Sequence, residues 1–265
     1  MKTTYFFCIA TILLLPFLLQ AQVVNQSQVV SVSGGTSTSG NYSNFAVVGE
    51  PFVANHTSVG NYVSNDGFIY RISDATLLNL TVYLEGLFNG YGMNKAQNAS
   101  GDQFSGLVAD QINIELHSSQ NYSTIAYAAS NINISTTGQA SINIPADNSG
   151  LYYLAVKHRN SIETVSAQPI TISGGTKSYD FTLASTQAFG NNLKLLSSGL
   201  YGIFTGDVNA DGIINNSDIA AIRTSASIFQ SGYLAVDLNG DGKVDALDLI
   251  LADNNAAGFF KVLKP

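Results

Sequence analysis

Two stretches, thirty residues apart, carry residue types at the spacing of metal chemistry. "DVNADGIINNSD" (207–218) sets Asp207, Asn209, Asp211, Asn215 and Asp218 at positions 1, 3, 5, 9 and 12 of a loop, with Gly212 at position 6. "DLNGDGKVDALD" (237–248) repeats the pattern with Asp237, Asn239, Asp241, Asp245 and Asp248, and Gly242 at position 6. Side chains that offer only oxygen at this spacing suit a hard cation, and the glycine supplies the sharp turn of a calcium loop. The loops hold three and four aspartates, which repel one another until a cation arrives. The expected cofactor is therefore calcium, two ions, and its first expected role is to hold together a small segment that has no disulfide.

These loops need elements to position them. A short amphipathic pattern follows each: Ile219, Ile222, Ala226 and Phe229 after the first, Leu249, Ile250 and Ala256 after the second. Before them lie "SSGLYGIFTG" and "SGYL", with glycines where an EF-hand has its entering helix. Asp218 and Asp248 also stand where EF-hand sensors place a bidentate Glu. The unit is a loop plus an exiting helix, twice. Ile214 and Val244, at position 8 of each loop, are expected to pair as a bridge between them.

Residues 206 to about 260 thus resemble the dockerins, whose two loop–helix repeats dock glycoside hydrolases onto cohesin domains in clostridial cellulosomes. The resemblance implies the ten side-chain ligands named above, together with the position-7 carbonyls of Ile213 and Lys243. It also implies a cohesin-like or other surface protein as partner. Cellulosomal dockerins often carry a Ser-Thr-like pair at positions 10 and 11, with basic residues on the helix. Asn216-Ser217 and Arg223 match that partially, whereas Ala246-Leu247 and Asp253-Asn254 depart from it. A second resemblance spans roughly 75 to 265. "ADQINIELH", "LYYLAVKHRNSIET" and "YDFT" look like the C-terminal ends of secreted haemagglutinin-like or adhesin-like proteins of Bacteroidota, which are non-catalytic β-modules.

Upstream, Lys2, the apolar run "YFFCIATILLLPFLL" and Ala21 describe a secretory signal peptide over 1–21. The expected localisation is secreted or at the cell surface, with no transmembrane segment after cleavage. Cleavage removes Cys8, the single cysteine, and leaves 10 basic against 18 acidic residues, a net charge of −8. That balance argues against nucleic acid as a partner. Charged residues make up only 11 % of the chain, and Asn, Ser, Thr and Gly supply its polarity, a composition suited to extracellular β-structure.

The expected fold is mainly β. Residues 22–74 form a Gly/Ser-rich β-hairpin repeat region, with Gly-Asn-Tyr at 40–42 and again at 60–62. Residues 75–190 form an antiparallel β-sandwich, with Leu80, Val82 and Leu84, then Ile112, Ile114 and Leu116, on its inner face. Further strands are expected at 141–145, 151–158, 169–172 and 178–183, and residues 86–110 form a long loop. A connector (191–205) leads to a small α-helical calcium-binding domain (206–265), in which eight of the 18 acidic residues fall between 207 and 253.

No nucleophile or metalloprotease motif occurs, and the expected function is non-enzymatic: calcium-dependent surface adhesion or assembly. The alternative is an accessory component of polysaccharide breakdown, docked through the tail or binding glycan through the sandwich, where Tyr153 and Tyr91 are the exposed-ring candidates. Glu115 with His117 is read as a solvated sheet face. Lys157, His158, Arg159 and Glu163 are read as a salt-bridged rim.

Overall fold

The structure is a computed structural model of the 265-residue chain, describing residues 75–265 and the strands that lie within 35–71. The signal peptide expected at 1–21 falls outside the described residues. The chain divides into two units, Met1–Ile72 and Ser73–Pro265. In the first, β1 (Gly35–Ser39) and β2 (Tyr42–Ala46) pair antiparallel, and β3 (Thr57–Val59), β4 (Tyr62–Asn65) and β5 (Phe68–Arg71) form a three-stranded antiparallel sheet. Tyr42 opens β2 and Tyr62 opens β4, so the tyrosine of each Gly-Asn-Tyr copy begins a strand.

The second unit begins with β6 (Thr76–Thr81). After it come the short pair β7 (Gln97–Asn98) and β8 (Gly101–Asp102), then β9 (Val108–Ser118), β10 (Ile125–Ser135), β11 (Gln139–Ile144), β12 (Gly150–His158), β13 (Ser161–Val165), β14 (Ile170–Ile172) and β15 (Gly175–Asp180). One sheet runs β10-β9-β12-β13 with β14 also on β12, and the other runs β11-β6-β15. Alternation decides which side faces in: Leu78, Leu80, Ile142 and Ile144 of the smaller sheet share one core with Ile112, Ile114, Leu116, Leu154 and Val156 of the larger. The fold class is as expected, mainly β with a sandwich body. It differs in one pairing, since β15 runs parallel to β6. The chain crosses from β14 in one sheet to β15 in the other before pairing, so no hairpin imposes the antiparallel sense.

Residues 86–110 are not a plain loop. Leu87, Met93 and Ala96 are buried, and the excursion is tied down by Met93 N–H to the Thr136 carbonyl (2.8 Å) and Ala96 N–H to the Ala109 carbonyl (2.7 Å). Nor are residues 191–205 a free connector. They form β16 (Lys194–Leu195) and β17 (Tyr201–Gly202), and bury Leu193, Leu196, Ile203 and Phe204. Ile203 N–H donates to the Tyr83 carbonyl and its own carbonyl accepts from Glu85 N–H, while Thr205 bridges to Ser161. The segment expected to separate sandwich from tail is an extra pairing of the sandwich.

The tail consists of α1 (Asn216–Ser227) and α2 (Ala246–Ala257), each leaving one of the loops. Ile219 and Ile222 are buried with Leu238, Val244 and Ala252 in a core of their own. Phe229 and Ile250, expected on the inner stripe, are exposed: Phe229 lies beyond the end of α1 in a left-handed turn, and Ile250 falls outside the buried side of α2. A third cluster joins tail to sandwich: Ile162 of β13, Phe204 and Ile214, with Phe260 stacked on Phe204 at a centroid distance of 3.9 Å. Asn255 of α2, fully buried, donates to Glu85 Oε2 (2.6 Å) and to the Thr205 carbonyl (2.8 Å).

Sandwich and tail therefore share an apolar seam and should lose their order together. Phe204→Ala removes a buried ring from that seam and is expected to cost about 3–5 kcal/mol. Amide hydrogen exchange on the whole chain should show Ile114 in the sandwich and Ile222 in the tail losing protection in parallel. Loss confined to Ile222 would mean that the two fold independently.

Candidate metal centre

The two loops have one local solution. Positions 9 and 12 of each loop are also the N-cap and third residue of the helix that leaves it. Asn215 Oδ1 accepts from Ser217 N–H at 2.7 Å, and Asp218 Oδ2 accepts back from Asn215 N–H at 3.0 Å. Asp245 and Asp248 repeat this capping box at 2.8 and 2.9 Å. The other oxygen of each position-12 aspartate turns into the loop. Asp218 Oδ1 accepts from Val208 and Asn209 N–H, and Asp248 Oδ1 from Leu238 and Asn239 N–H.

Position 1 closes the turn from the other side. Asp207 accepts from Asp211 and Gly212 N–H, at 3.1 and 3.0 Å. Asp237 accepts from Gly240 and Gly242 N–H, at 2.9 and 3.0 Å. Asn209, Asp211, Asn239 and Asp241 each accept an N–H two residues on, the Asx turns that aim short polar side chains into the loop. The chain turns left-handed at positions 4 and 6 in both copies: Ala210 (φ 57°) and Gly212 (φ 85°), then Gly240 (φ 70°) and Gly242 (φ 80°).

Position 4 separates the copies. Ala210 is exposed, whereas a Cβ on Gly240 would lie 2.3 Å from Leu87 Cδ2. A Cβ on Gly242 would lie 2.9 Å from the Asn98 carbonyl oxygen. The excursion before β9 thus lies against the second loop, and Gln97 N–H donates to the Gly240 carbonyl at 2.8 Å. That is the role of residues 86–110, which no periodicity announced.

The loops do not bridge each other through Ile214 and Val244, contrary to expectation. Ile214 lies in the seam with Ile162, and Val244 in the interhelical core. Each loop is closed instead by the segment after the other repeat's helix. Ile214 N–H donates to the Phe260 carbonyl and Val262 N–H to that of Gly212; Val244 N–H donates to the Gln230 carbonyl and Gly232 N–H to that of Gly242. All four contacts obey the thirty-residue repeat. Phe229 (φ 53°) and Phe259 (φ 55°) turn the chain at equivalent points to make this return.

Electrostatics favour a cation here. Asp207, Asp218, Asp237 and Asp248 are each 3 % exposed or less. Burial pushes the Asp207 carboxyl up to about 6, reinforced by Asp218 and Asp211 and opposed by the loop N–H groups. Burial likewise pushes Asp237 up to about 6, reinforced by Asp248 and Asp241 and opposed by Gly242 N–H and Arg159, and it raises Asp248. Among the described residues no three carboxylate or imidazole side chains close on one point unaided. The carboxylates lie instead on the loop's own N–H groups. The set fits a hard, oxygen-seeking ion all the same: ten oxygen-bearing side chains over two loops, with the carbonyls of Ile213 and Lys243 between them.

Outside the loops the structure redistributes the other candidates. His117 is 5 % exposed, not solvated. Its ring stacks on Tyr122 at 4.1 Å, and Nε2 lies 2.9 Å from Glu115. Lys157 joins Glu115 (2.7 Å) to Glu163 (3.6 Å), and Tyr122 donates to Glu163 at 2.7 Å. Burial works to raise the Glu115 carboxyl, and hydrogen bonds from Lys157 and His117 outweigh it and hold it low. These groups are spent on one another. Tyr153 meets Tyr122 and Phe189 edge-on, while Tyr91 is 97 % exposed. Arg159 leaves the expected rim altogether and reaches the tail.

With this geometry in hand, residues 205–255 match the family model of the dockerin type I domain. The tail is dockerin-like. Two crystal structures from Acetivibrio cellulolyticus, a C-terminal and an N-terminal interface mutant of a type II cohesin–X–dockerin complex, are similar to the chain. They share 15 % and 14 % identity with it over 71 % of this chain and 97 % of theirs, with TM-scores of 0.40 and 0.37. No curated protein matches the sequence.

The raised carboxyls give the metal-free protein a definite pH response. An acid whose folded pKa exceeds its unfolded value binds its proton more tightly when folded. The stability that Asp207 and Asp237 permit near pH 4 is thus lost as pH rises through about 6. Melting in chelator should fall across that interval, and Asp207→Asn with Asp237→Asn should flatten the fall. Calcium, which binds the ionised form, should abolish it. A wild-type melting temperature that climbs from pH 4 to 6 in chelator would contradict the assignment.

Proposed function

We propose that this chain is an exported, non-catalytic modular protein whose dockerin-like tail is organised by two calcium ions and docks onto a cohesin-like partner. The observation that carries the reading is the doubled loop, in which Asp207, Asn209, Asp211, Asn215 and Asp218, then Asp237, Asn239, Asp241, Asp245 and Asp248, turn oxygens inward at one spacing, four of the carboxylates buried. Each ion would take those side chains and the position-7 carbonyl, of Ile213 or Lys243. It would supply the positive charge that the buried aspartates lack. The chain's own part is to gather them on the loop N–H groups and to start the helices at Asn215 and Asp245.

Docking is supported by what the helices leave outside. Leu247 and Ile250, three residues apart on α2, are 56 % and 54 % exposed, whereas α1 has Ser217 and Ala220 at the equivalent positions. A large apolar pair on one helix and two small residues, Ser217 and Ala220, on the other give the tail two distinct faces. The α2 face suits a partner with an apolar patch. Assembly at the cell surface follows as the wider role.

Calorimetric titration should give two calcium equivalents, with Asp207→Ala and Asp237→Ala each removing one. At affinities of about 10⁻⁴ to 10⁻³ M, typical of extracellular modules, millimolar calcium adds roughly 0.4 to 1.4 kcal/mol per site. Immobilised cohesin domains should retain the protein in calcium and release it in chelator, and Leu247→Asp should weaken retention with calcium stoichiometry unchanged. An absence of calcium uptake would sink the proposal, and full retention by cohesin in chelator would sink its docking half.

A further inference from the structure

The two loops share a sequence pattern but not an environment, and the difference converges on one turn of the sandwich. Between β12 and β13 the chain turns at Arg159 and Asn160, and both side chains leave the sheet for the second loop. Arg159 Nη1 donates to the Leu234 carbonyl and to that of Asp237, the latter at 2.9 Å. Asn160 Nδ2 donates to the same Asp237 carbonyl at 2.9 Å. Asp237 occupies position 1, so the residue that opens the loop is gripped on its main chain from outside the tail. Among the described residues no side-chain hydrogen bond reaches the carbonyl of Asp207, its counterpart in the first loop.

The grip is built with little net charge. Arg159 Nε lies 3.3 Å from Asp110 Oδ2, and Asp110 is fully buried. Tyr233, from the segment between α1 and the second loop, donates its hydroxyl to Asp110 Oδ1 and lays its ring 4.5 Å from the guanidinium carbon. His158 Nε2 is 3.1 Å from the other Asp110 oxygen, but out of line for a hydrogen bond. A bare guanidinium beside a calcium loop would repel the ion; one neutralised by a buried carboxylate acts chiefly through geometry. The forked guanidinium can hold two carbonyls and a carboxylate at once, which an ammonium on a flexible stem does less well.

We propose that Arg159 is a positioning residue for the second metal loop. Presented by the sandwich and neutralised by Asp110, it fixes the Leu234–Asp237 turn so that the Asp237 carboxylate stands ready before the ion arrives. The first loop is fastened at its flanks instead, by Gly206 N–H on the Asn160 carbonyl and by Ile214 in the seam. With no side chain among the described residues on its position-1 carbonyl, it takes more of the order at position 1 from the ion itself. The two sites are consequently unequal despite matching ligand sets, and the second depends on the sandwich. This rests on the calcium reading given above.

Calcium chloride titration of the whole protein, followed at the Gly212 and Gly242 amides by NMR, reads each loop separately. In the wild type the Gly242 signal should saturate first. The variant Arg159→Met with Asp110→Asn removes both charges together and leaves no unpaired ion inside. It is expected to weaken the Gly242 response about ten-fold, the scale of losing hydrogen bonds from a charged donor, and to change that of Gly212 less than about two-fold. Arg159→Lys, which keeps the charge but not the fork, should recover only part of the loss. Equal weakening at both glycines, an unchanged Gly242 response, or full recovery with lysine would overturn the assignment. If neither glycine of the wild type responds to calcium, it is the calcium reading that fails.

Discussion

A carboxylate taken out of water costs several kcal/mol unless a partner replaces its hydration, and the tail buries four: Asp207, Asp218, Asp237 and Asp248. Nearly everything else in the tail is arranged around them. The loop N–H groups point inward because they have these carboxylates to meet, and left-handed residues at positions 4 and 6 let the backbone turn tightly enough to do so. Each helix starts where it does because the position-12 carboxylate doubles as the far end of a capping box. Hydrogen bonds offset only part of the cost, as the raised Asp207 and Asp237 carboxyls indicate. The balance is what a divalent ion would supply.

The second constraint is the exchange of backbone partners between repeats. Because 230–232 closes the second loop and 260–262 closes the first, neither repeat completes itself. A disturbance at one loop passes through a helix to the strand-like segment that closes the other. The sandwich adds an asymmetry to this pseudo-symmetric ring. It supplies Ile162 and Phe204 to one side, and Leu87, Gln97 and Arg159 to the other. The duplicated motif is therefore held in two different settings, and Gly240 in place of Ala210 is the trace of this in the sequence.

What could be read from the sequence is what depends on local spacing. Strict alternation placed Leu80, Val82 and Leu84, and Ile112, Ile114 and Leu116, on the inner face, where all six are buried. Oxygen spacing placed the loops, and the glycines before them placed the absence of entering helices. What could not be read is what tertiary contact decides. β10 is largely exposed and bulged, so its pattern never alternates cleanly. His117 looks solvent-facing on strand period, yet Tyr122 folds over it. Asn255 and Arg159 look like surface residues because nothing local reveals that Glu85 and Asp237, far away in sequence, will need donors. The connector was misjudged for the same reason: its Gly and Ser content suggests a linker, but its Ile203 lies in the sandwich core and its Phe204 in the seam.

The seam also bears on what a docking tail can do. On a flexible linker, a docking helix would leave the module it carries free to reorient, and binding would fix only the helix. Here α2 begins at Asp245, directly out of the loop held by Arg159 and Gln97, and its Asn255 is pinned to Glu85 and Thr205. A partner seated on Leu247 and Ile250 would therefore hold the sandwich in one orientation as well. Under the proposed docking, Arg159, Gln97 and Asn255, which hold the two ends of α2 to the sandwich, would set the angle at which the β-body is presented.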